Sequence, residues 1–289
     1  MFFLRKPKMK QPCFALLTAS IVLASASAVL ADDKAAPETK PLKVMFIAGG
    51  GYHDYSKQAP FLKEKLSELA NVEIEIVNGG RDSHAVPAIF SDPKFGEGYD
   101  AIIYDLCYAT DSKPIDPKAY EKVLEVTKAG KPAVLVHCAM HCFRPAADWA
   151  QFAGMRTNHH ERFGPFEARP ADKNNPITKG WPDDWKTDGD EQYVTEEVYP
   201  DTVKLVISTG VAEKEKHPEN VVAWEHTYGQ GRVFGTTLGH DMKTAADPHY
   251  LQLLASGLLW ACDKLDESGA PKPGYAGPGP KPEPSKDQK

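Results

Sequence analysis

The stretch that most constrains this chain is Lys131 to Arg144, KPAVLVHCAMHCFR. Pro132 to Val136 is an unbroken apolar run with β-branched residues and no polar alternation. A run of that kind suits a strand covered on both faces, as in a parallel sheet. His137, Cys138, His141 and Cys142 follow within six residues. In open α/β sheets ligands bind beyond the carboxyl ends of the strands, so side chains that ligate metals or carry protons mark a candidate site there. The plainer reading has small cysteines packing a strand end beside ordinary loop histidines.

Other segments point polar residues at the same place. Leu42 to Ala48 reads as a first buried strand, followed by Gly49-Gly50-Gly51-Tyr52-His53-Asp54 and a helix from about Ala59 to Ala70. The three glycines permit a tight turn and close approach of backbone to a ligand. The spacing matches neither the dinucleotide fingerprint nor the P-loop, so no nucleotide cofactor is expected. Val72 to Val77 alternates like an edge strand, and Tyr99 to Leu106 reads as another buried strand, with Asp105 and Cys107 at its end. A helical pattern over Asp116 to Gly130 precedes the central run. Strand and helix alternating at these spacings predict an α/β fold, a mostly parallel sheet with helices on both faces. Right-handed crossovers would set the strands from Leu42, Tyr99 and Pro132 side by side and cluster their polar ends.

Beyond the central strand, Arg156 to Arg162 is a polar run containing His159, His160 and Glu161. It reads as a solvated loop or as a wall of the site. Asp188 to Tyr193 is acidic without the alternating oxygen ligands of a calcium loop. Val203 to Ser208 is a further strand, and Val221 to Thr237 predicts a C-terminal hairpin turning at Gly229-Gln230-Gly231. Leu238-Gly239-His240-Asp241 follows its second strand, and Tyr250 to Leu265 is helical. One domain is expected over residues 42–265, with a disordered Pro/Gly/Lys-rich tail over 266–289.

Residues 1–31 combine Arg5, Lys6, Lys8 and Lys10 with an apolar stretch and a Val29-Leu30-Ala31 cleavage site, the pattern of a signal peptide. Export to the periplasm or outside the cell is therefore expected, with residues 32–41 as a flexible leader and no stable membrane insertion after cleavage. Loss of the four cations takes the formal charge from −6 to −10. An acidic chain without a basic block does not suit nucleic acid. Four cysteines remain, too few for a disulfide-built scaffold; a bridge between Cys107 and Cys138, a shared metal or two thiols all stay open.

The segments GGGYHDY, VLVHCA, DEQY and YGQGRVFGTTLGHD, in that order, resemble the ThuA-like (trehalose utilisation) family over roughly Leu42 to Asp263. The resemblance implies a flavodoxin-like sheet of the class I glutamine amidotransferase kind and a role in carbohydrate metabolism, on oxidised (3-keto) glycosides. The matching positions are His53, His137, Asp190, Glu191, His240 and Asp241, while Cys138, His141 and Cys142 depart from the pattern. Proton transfer beside a carbonyl needs a base and an acid or Lewis acid. His137, Glu191 and Asp190 are the candidates for that work. His53, Asp54, Cys138, His160 and Asp241 are candidates for substrate binding. His53, His141 and His240 are candidate ligands for a divalent metal such as zinc. Two alternatives compete. One is a cysteine hydrolase with Cys138 as nucleophile, although the glycine flanks of a nucleophile elbow are missing. The other is a non-catalytic module binding carbohydrate or metal, with Trp149, Trp181, Trp185 and Tyr193 available to stack on sugar.

Overall fold

The computed structural model describes residues 39–108, 115–209 and 219–280. The expected signal peptide, the leader up to residue 38 and residues 281–289 lie outside the described residues. Among the described residues no helix is long and apolar enough to cross a membrane.

The first half contains β1 (Leu42–Gly50), α1 (Tyr55–Leu69), β2 (Val72–Asn78), β3 (Ala101–Cys107), α2 (Glu121–Lys128), β4 (Ala133–Val136) and α3 (Ala147–Ala153). The second half adds β5 (Met155–Arg156), β6 (Gly164–Pro170), β7 (Trp185–Asp190), β8 (Glu197–Val198) and β9 (Thr202–Thr209). It closes with β10 (Glu219–Tyr228), β11 (Gly231–Thr236), α4 (Met242–Ala245) and α5 (Pro248–Ala261). Among the described residues nine strands form one sheet in the order β2-β1-β3-β4-β11-β10-β9-β6-β7. From β2 to β11 neighbours pair in parallel. From β11 to β7 they pair antiparallel, so the hairpin is the start of a wider antiparallel flank.

The buried runs follow from coverage on both faces. In β1, Val44 and Phe46 face the core under α1 and α5, while Met45 and Ile47 face the core under α2 and α3. In β4, Val134 and Val136 take the first face, Ala133 and Leu135 the second. The period of two is kept, but both faces are apolar, which is why the sequence shows no alternation. Each of these side chains except the smaller Ala133 contributes ~1.5–3 kcal/mol by leaving water.

Three expectations change. Helix α1 begins at Tyr55, four residues early, and carries Pro60 inside it instead of starting beside it. The pattern over 116–130 divides into a 3-10 turn at Pro117–Ala119 and α2. The expected disordered tail is ordered as far as residue 280. Tyr275 O accepts from Asn71 N (3.0 Å), Gly277 N donates to Leu69 O (3.1 Å) and Gly279 N to Glu68 O (2.9 Å). This strap closes the junction between α1 and β2.

Candidate functional site

The carboxyl ends of β1, β3, β4 and β11 meet at one edge of the sheet, and each sends its loop across its neighbours. Beyond β1 the turn at Gly50 (φ +96°) lies so close to β3 that an added Cβ would stand 2.2 Å from Cys107 O. Only glycine fits there, and the close pass carries His53 over the end of β4. Beyond β4 the chain enters a 3-10 turn over His137–His141, with His137 itself at φ +50°. A non-glycine residue in that region is strained by ~1–3 kcal/mol and persists only where its surroundings hold it. Here the His137 Nδ1 bonds to Thr237 O at 2.6 Å. Beyond β11, Gly239 (φ +116°) turns the chain so that His240 comes back over the site.

Glu191, just past the end of β7, is the centre of the arrangement. Its Oε2 lies 3.3 Å from both His137 Nε2 and His240 Nδ1, and its Oε1 lies 3.4 Å from His160 Nε2. The His53 ring sits 4.8 Å from both His137 and His240, centroid to centroid. His53 Nδ1 bonds to His240 O (3.1 Å) and Nε2 lies 3.1 Å from Cys138 Sγ. Burial alone would raise the Glu191 carboxyl, but the His137 and His240 imidazoles beside it outweigh that and hold it well below the usual carboxylate range. Burial also opposes charge on His137. The Cys138 thiol, Glu191 and Asp190 around it overcome that effect and keep its imidazolium form well above the usual histidine range.

His160 forms part of the wall. A β-bridge to Tyr193 holds its backbone, and its ring stacks on Tyr193 at 5.7 Å. Tyr193 is the hub that sequence reading did not recognise. Its hydroxyl lies 3.1 Å from Cys138 Sγ and 3.4 Å from His137 Nε2, and its ring also stacks on His141 at 4.5 Å. Gln58 was likewise missed because α1 starts earlier than expected. Its amide donates to Gly239 O (3.0 Å) and His240 O (3.2 Å), fixing the loop that carries His240.

Several candidates do other work. Asp190 is fully buried, and its carboxylate accepts from Glu191 N (2.7 Å), Gly239 N (3.0 Å) and His240 N (3.4 Å). It therefore positions Glu191 and His240 and is not a catalytic group. Asp241 caps α4 by accepting from Lys243 N and Thr244 N. Asp54 pairs with Lys57 (2.7 Å) and Ser56 (2.5 Å) at the rim, so neither aspartate offers a free carboxylate to substrate. His141 is not a metal ligand. Its Nδ1 bonds Thr157 Oγ1 (2.8 Å), its Nε2 accepts from Arg144 (3.2 Å), and burial with the Arg144 charge depresses its pKa strongly.

Cys138 does not have the setting of a nucleophile. The strained elbow belongs to His137, one residue earlier. Burial and the Cys107 contact at 2.6 Å push the Cys138 thiol up to about 11, against the pull of His137 and His53. Cys107, Cys138, Cys142 and Cys262 are all free thiols. The aromatic residues considered for sugar stacking, Trp149, Trp181, Trp185 and Tyr193, are all buried. Among the described residues the exposed aromatics are Tyr52 (69%) on the glycine turn and Phe163 (43%), whose ring lies 5.0 Å from that of His240. Beneath the cluster, Asp105 at the end of β3 is buried with Oδ2 unpartnered, and burial raises its carboxyl to about 7 against the attraction of His137.

A mostly parallel sheet covered on both faces, with imidazoles and a carboxylate gathered at its strand ends, defines an α/β protein with its candidate site at the carboxyl edge of the sheet. A ThuA-like protein of Parabacteroides merdae ATCC 43184 shares this fold at TM-score 0.63 and 19% identity, over 82% of this chain and 97% of that one. A ThuA-like protein of Bacteroides uniformis ATCC 8492 does so at TM-score 0.58 and 16% identity, over 82% and 98%. Part of the β-galactosidase of Rahnella sp. R3 overlaps at TM-score 0.50 and 12% identity, over 76% of this chain and 31% of that one. No curated protein sequence matches the chain. The sequence profile of the ThuA family, described as trehalose utilisation, matches residues 43–261, and the chain belongs to that family.

Proposed function

We propose that this chain is an exported carbohydrate-active enzyme that transfers protons beside a carbonyl, with keto-glycosides as its substrates. The observation that carries the reading is Glu191, a half-buried carboxylate within 3.3–3.4 Å of three imidazoles from three different loops. The imidazoles keep Glu191 ionised and weaken it as a base, so the arrangement suits a carbon acid already activated by a carbonyl whose oxygen an imidazole polarises. The exposed rings of Tyr52, next to His53, and of Phe163, 5.0 Å from the His240 ring, suit a sugar, which offers an apolar face and a rim of hydroxyls. The family's description, trehalose utilisation, supports a glycoside as substrate.

In the reaction, Glu191 takes the proton from the carbon next to the ketone. The released electron pair moves onto the carbonyl oxygen, which accepts a hydrogen bond from His160 at the mouth. Transfer of the hydroxyl proton of the deprotonated carbon to the old carbonyl oxygen, with return of the abstracted proton to the old carbonyl carbon, gives an isomer, whereas departure of a substituent on the next carbon with its bonding pair, as the carbonyl re-forms, gives elimination. Asp190 fixes the Glu191 backbone in place through its own bond to Glu191 N.

The test incubates the full chain with 3-keto-glycosides and their unoxidised parents and follows the products by mass spectrometry. Turnover of the keto form is expected, falling ~10²–10⁴-fold in Glu191→Gln. Saturable binding without turnover would replace this reading with a carbohydrate-binding module.

A further inference from the structure

We propose that His53, His137 and His240 together hold a divalent transition-metal ion, zinc by the character of its donors, with Glu191 beside the ion's open position. The proposal deepens the enzymatic reading and rests on it only for what the ion does to a substrate. Uptake of the ion is tested without sugar.

Proximity comes first. Each of the three imidazoles offers a nitrogen, and those nitrogens all lie within 4.8 Å of one another. They come from the loops after β1, β4 and β11, so folding, not local sequence, assembles the set. A 3-10 turn advances about 120° per residue, which puts His141 a third of a turn away from His137 and out of the set.

Ring orientation is the second argument. His53 Nδ1 faces His240 O at 3.1 Å, and His137 Nδ1 faces Thr237 O at 2.6 Å. A backbone carbonyl only accepts, so both Nδ1 atoms carry the proton. Binding of an ion displaces the proton that the Glu191 carboxylate favours on His137 Nε2, after which the Nε2 of each ring offers its electron pair. Metal-binding histidines are oriented in this way, with the far nitrogen donating to a carbonyl or carboxylate. His240 Nδ1 is buried and lacks a well-aimed hydrogen bond, although Glu191 Oε2 is 3.3 Å away. An ion or its bound water would answer to both.

The ligands are also held in advance. His137 sits in its strained conformation at the end of β4, and the His240 loop is clamped by Asp190 below and Gln58 from the side. Such support lets a site select an ion without reorganising. Three histidines with a fourth position open is a pattern of catalytic zinc, and an ion there would polarise the carbonyl oxygen. His137 and His240 then serve as ligands, and proton transfer falls to Glu191 and His160.

A competing set, His53 with Cys107 and Cys138, also lies within 4.8 Å. The two sulfurs are 2.6 Å apart, whereas two thiolates on one tetrahedral zinc, each at ~2.3 Å, would stand ~3.7 Å from each other. Imidazole nitrogens on one tetrahedral zinc, each at ~2.0–2.1 Å, would stand ~3.3–3.4 Å apart, so the histidine set closes inward from within 4.8 Å instead of parting two atoms already in contact.

The experiment strips the full chain with chelator, then titrates it with zinc chloride alone by calorimetry, with elemental analysis after dialysis. Wild type is expected to retain about one ion per chain. His53→Ala and His240→Ala are expected to weaken binding by at least about 100-fold, while His141→Ala and Cys107→Ser bind as wild type does. Thermal unfolding of each variant shows that it is folded, and added zinc should raise the midpoint of wild type but not of the two histidine variants. No retained ion in wild type overturns the proposal. So does unchanged binding in His53→Ala and His240→Ala, or loss of binding in Cys107→Ser or His141→Ala. Stoichiometric zinc without sugar turnover leaves the metal site standing and removes the enzymatic reading. Turnover that survives stripping leaves the enzymatic reading standing and removes the ion's part in the reaction.

Discussion

Replacing Asp105 with asparagine should make the protein less sensitive to rising pH. Asp105 is wholly buried at the end of β3, Oδ2 has no partner, and burial lifts the carboxyl from its ordinary 3.8 to about 7. The titratable groups coupled to it are His137, which attracts its charge, and the Tyr55, Tyr250 and Cys142 side chains, which are neutral near pH 7. Below about pH 4 the carboxyl is protonated in both folded and unfolded chains and contributes no pH dependence. Between about pH 4 and about pH 7 the unfolded chain gives up the proton while the folded chain keeps it. Stability therefore falls as pH rises through that window, by ~1.4 kcal/mol per pH unit and by at most about 4 kcal/mol in all.

Asparagine has the same shape and does not titrate, so the variant loses this slope. It also places an amide where Oδ2 has no partner, a cost of ~1–3 kcal/mol that does not change with pH. The diagnostic is thus the change in the stability difference with pH, not the difference at one pH. Urea unfolding of both proteins from about pH 4.5 to 8 measures it. For a chain of this size each kcal/mol also moves the thermal midpoint by about 2–4 °C. Parallel stability curves across the window would refute the reasoning, because Asp105 would then ionise in its ordinary range despite its burial.

Three further outcomes follow from other parts of the site and scaffold. His137→Gly should unfold at a higher temperature than His137→Ala, by about 1 kcal/mol of stability, because both lose the ring but only glycine relaxes at φ +50°; equal midpoints would mean that the turn is unstrained. Ending the chain at Leu265 removes the strap hydrogen bonds to α1 and Asn71 and should cost about 2–4 kcal/mol, read by chemical denaturation. Iodoacetamide should modify Cys262 well before Cys107, Cys138 or Cys142, which are buried, and peptide mapping over time reports the order.

The parallel half of the fold was legible because its signals are local. Runs such as Val134 to Val136 need cover on both faces, and right-handed crossovers then fix which strand ends meet. The meeting of the loops after the strands from Leu42, Tyr99 and Pro132 follows from that logic, whereas His240 joins them because β11 pairs parallel to β4, a pairing no local signal announces. β7 was not legible. Trp185 to Asp190 has no strand-like composition and becomes a strand by pairing with β6. That pairing also separates two adjacent carboxylates: Asp190 goes inward to backbone amides and Glu191 goes to the imidazoles. His141 does not join the set because the 3-10 turn after β4 sends its ring to Thr157 and Arg144. The strap over residues 266–280 was read as disorder from its Pro and Gly content, yet its order comes from carbonyls and amides that α1 leaves open at its end.

The same strap has a consequence for how the protein can be attached to anything else. Asn71 donates to Thr39 O and to Gly274 O, so the entry of the chain and its closing segment are tied at a single residue. That knot lies at the amino end of β1, and the imidazole cluster lies at its carboxyl end. A surface, a bead or a fusion partner linked through either segment would therefore hold the domain by its rear pole, with the mouth of the site turned outward and unobstructed.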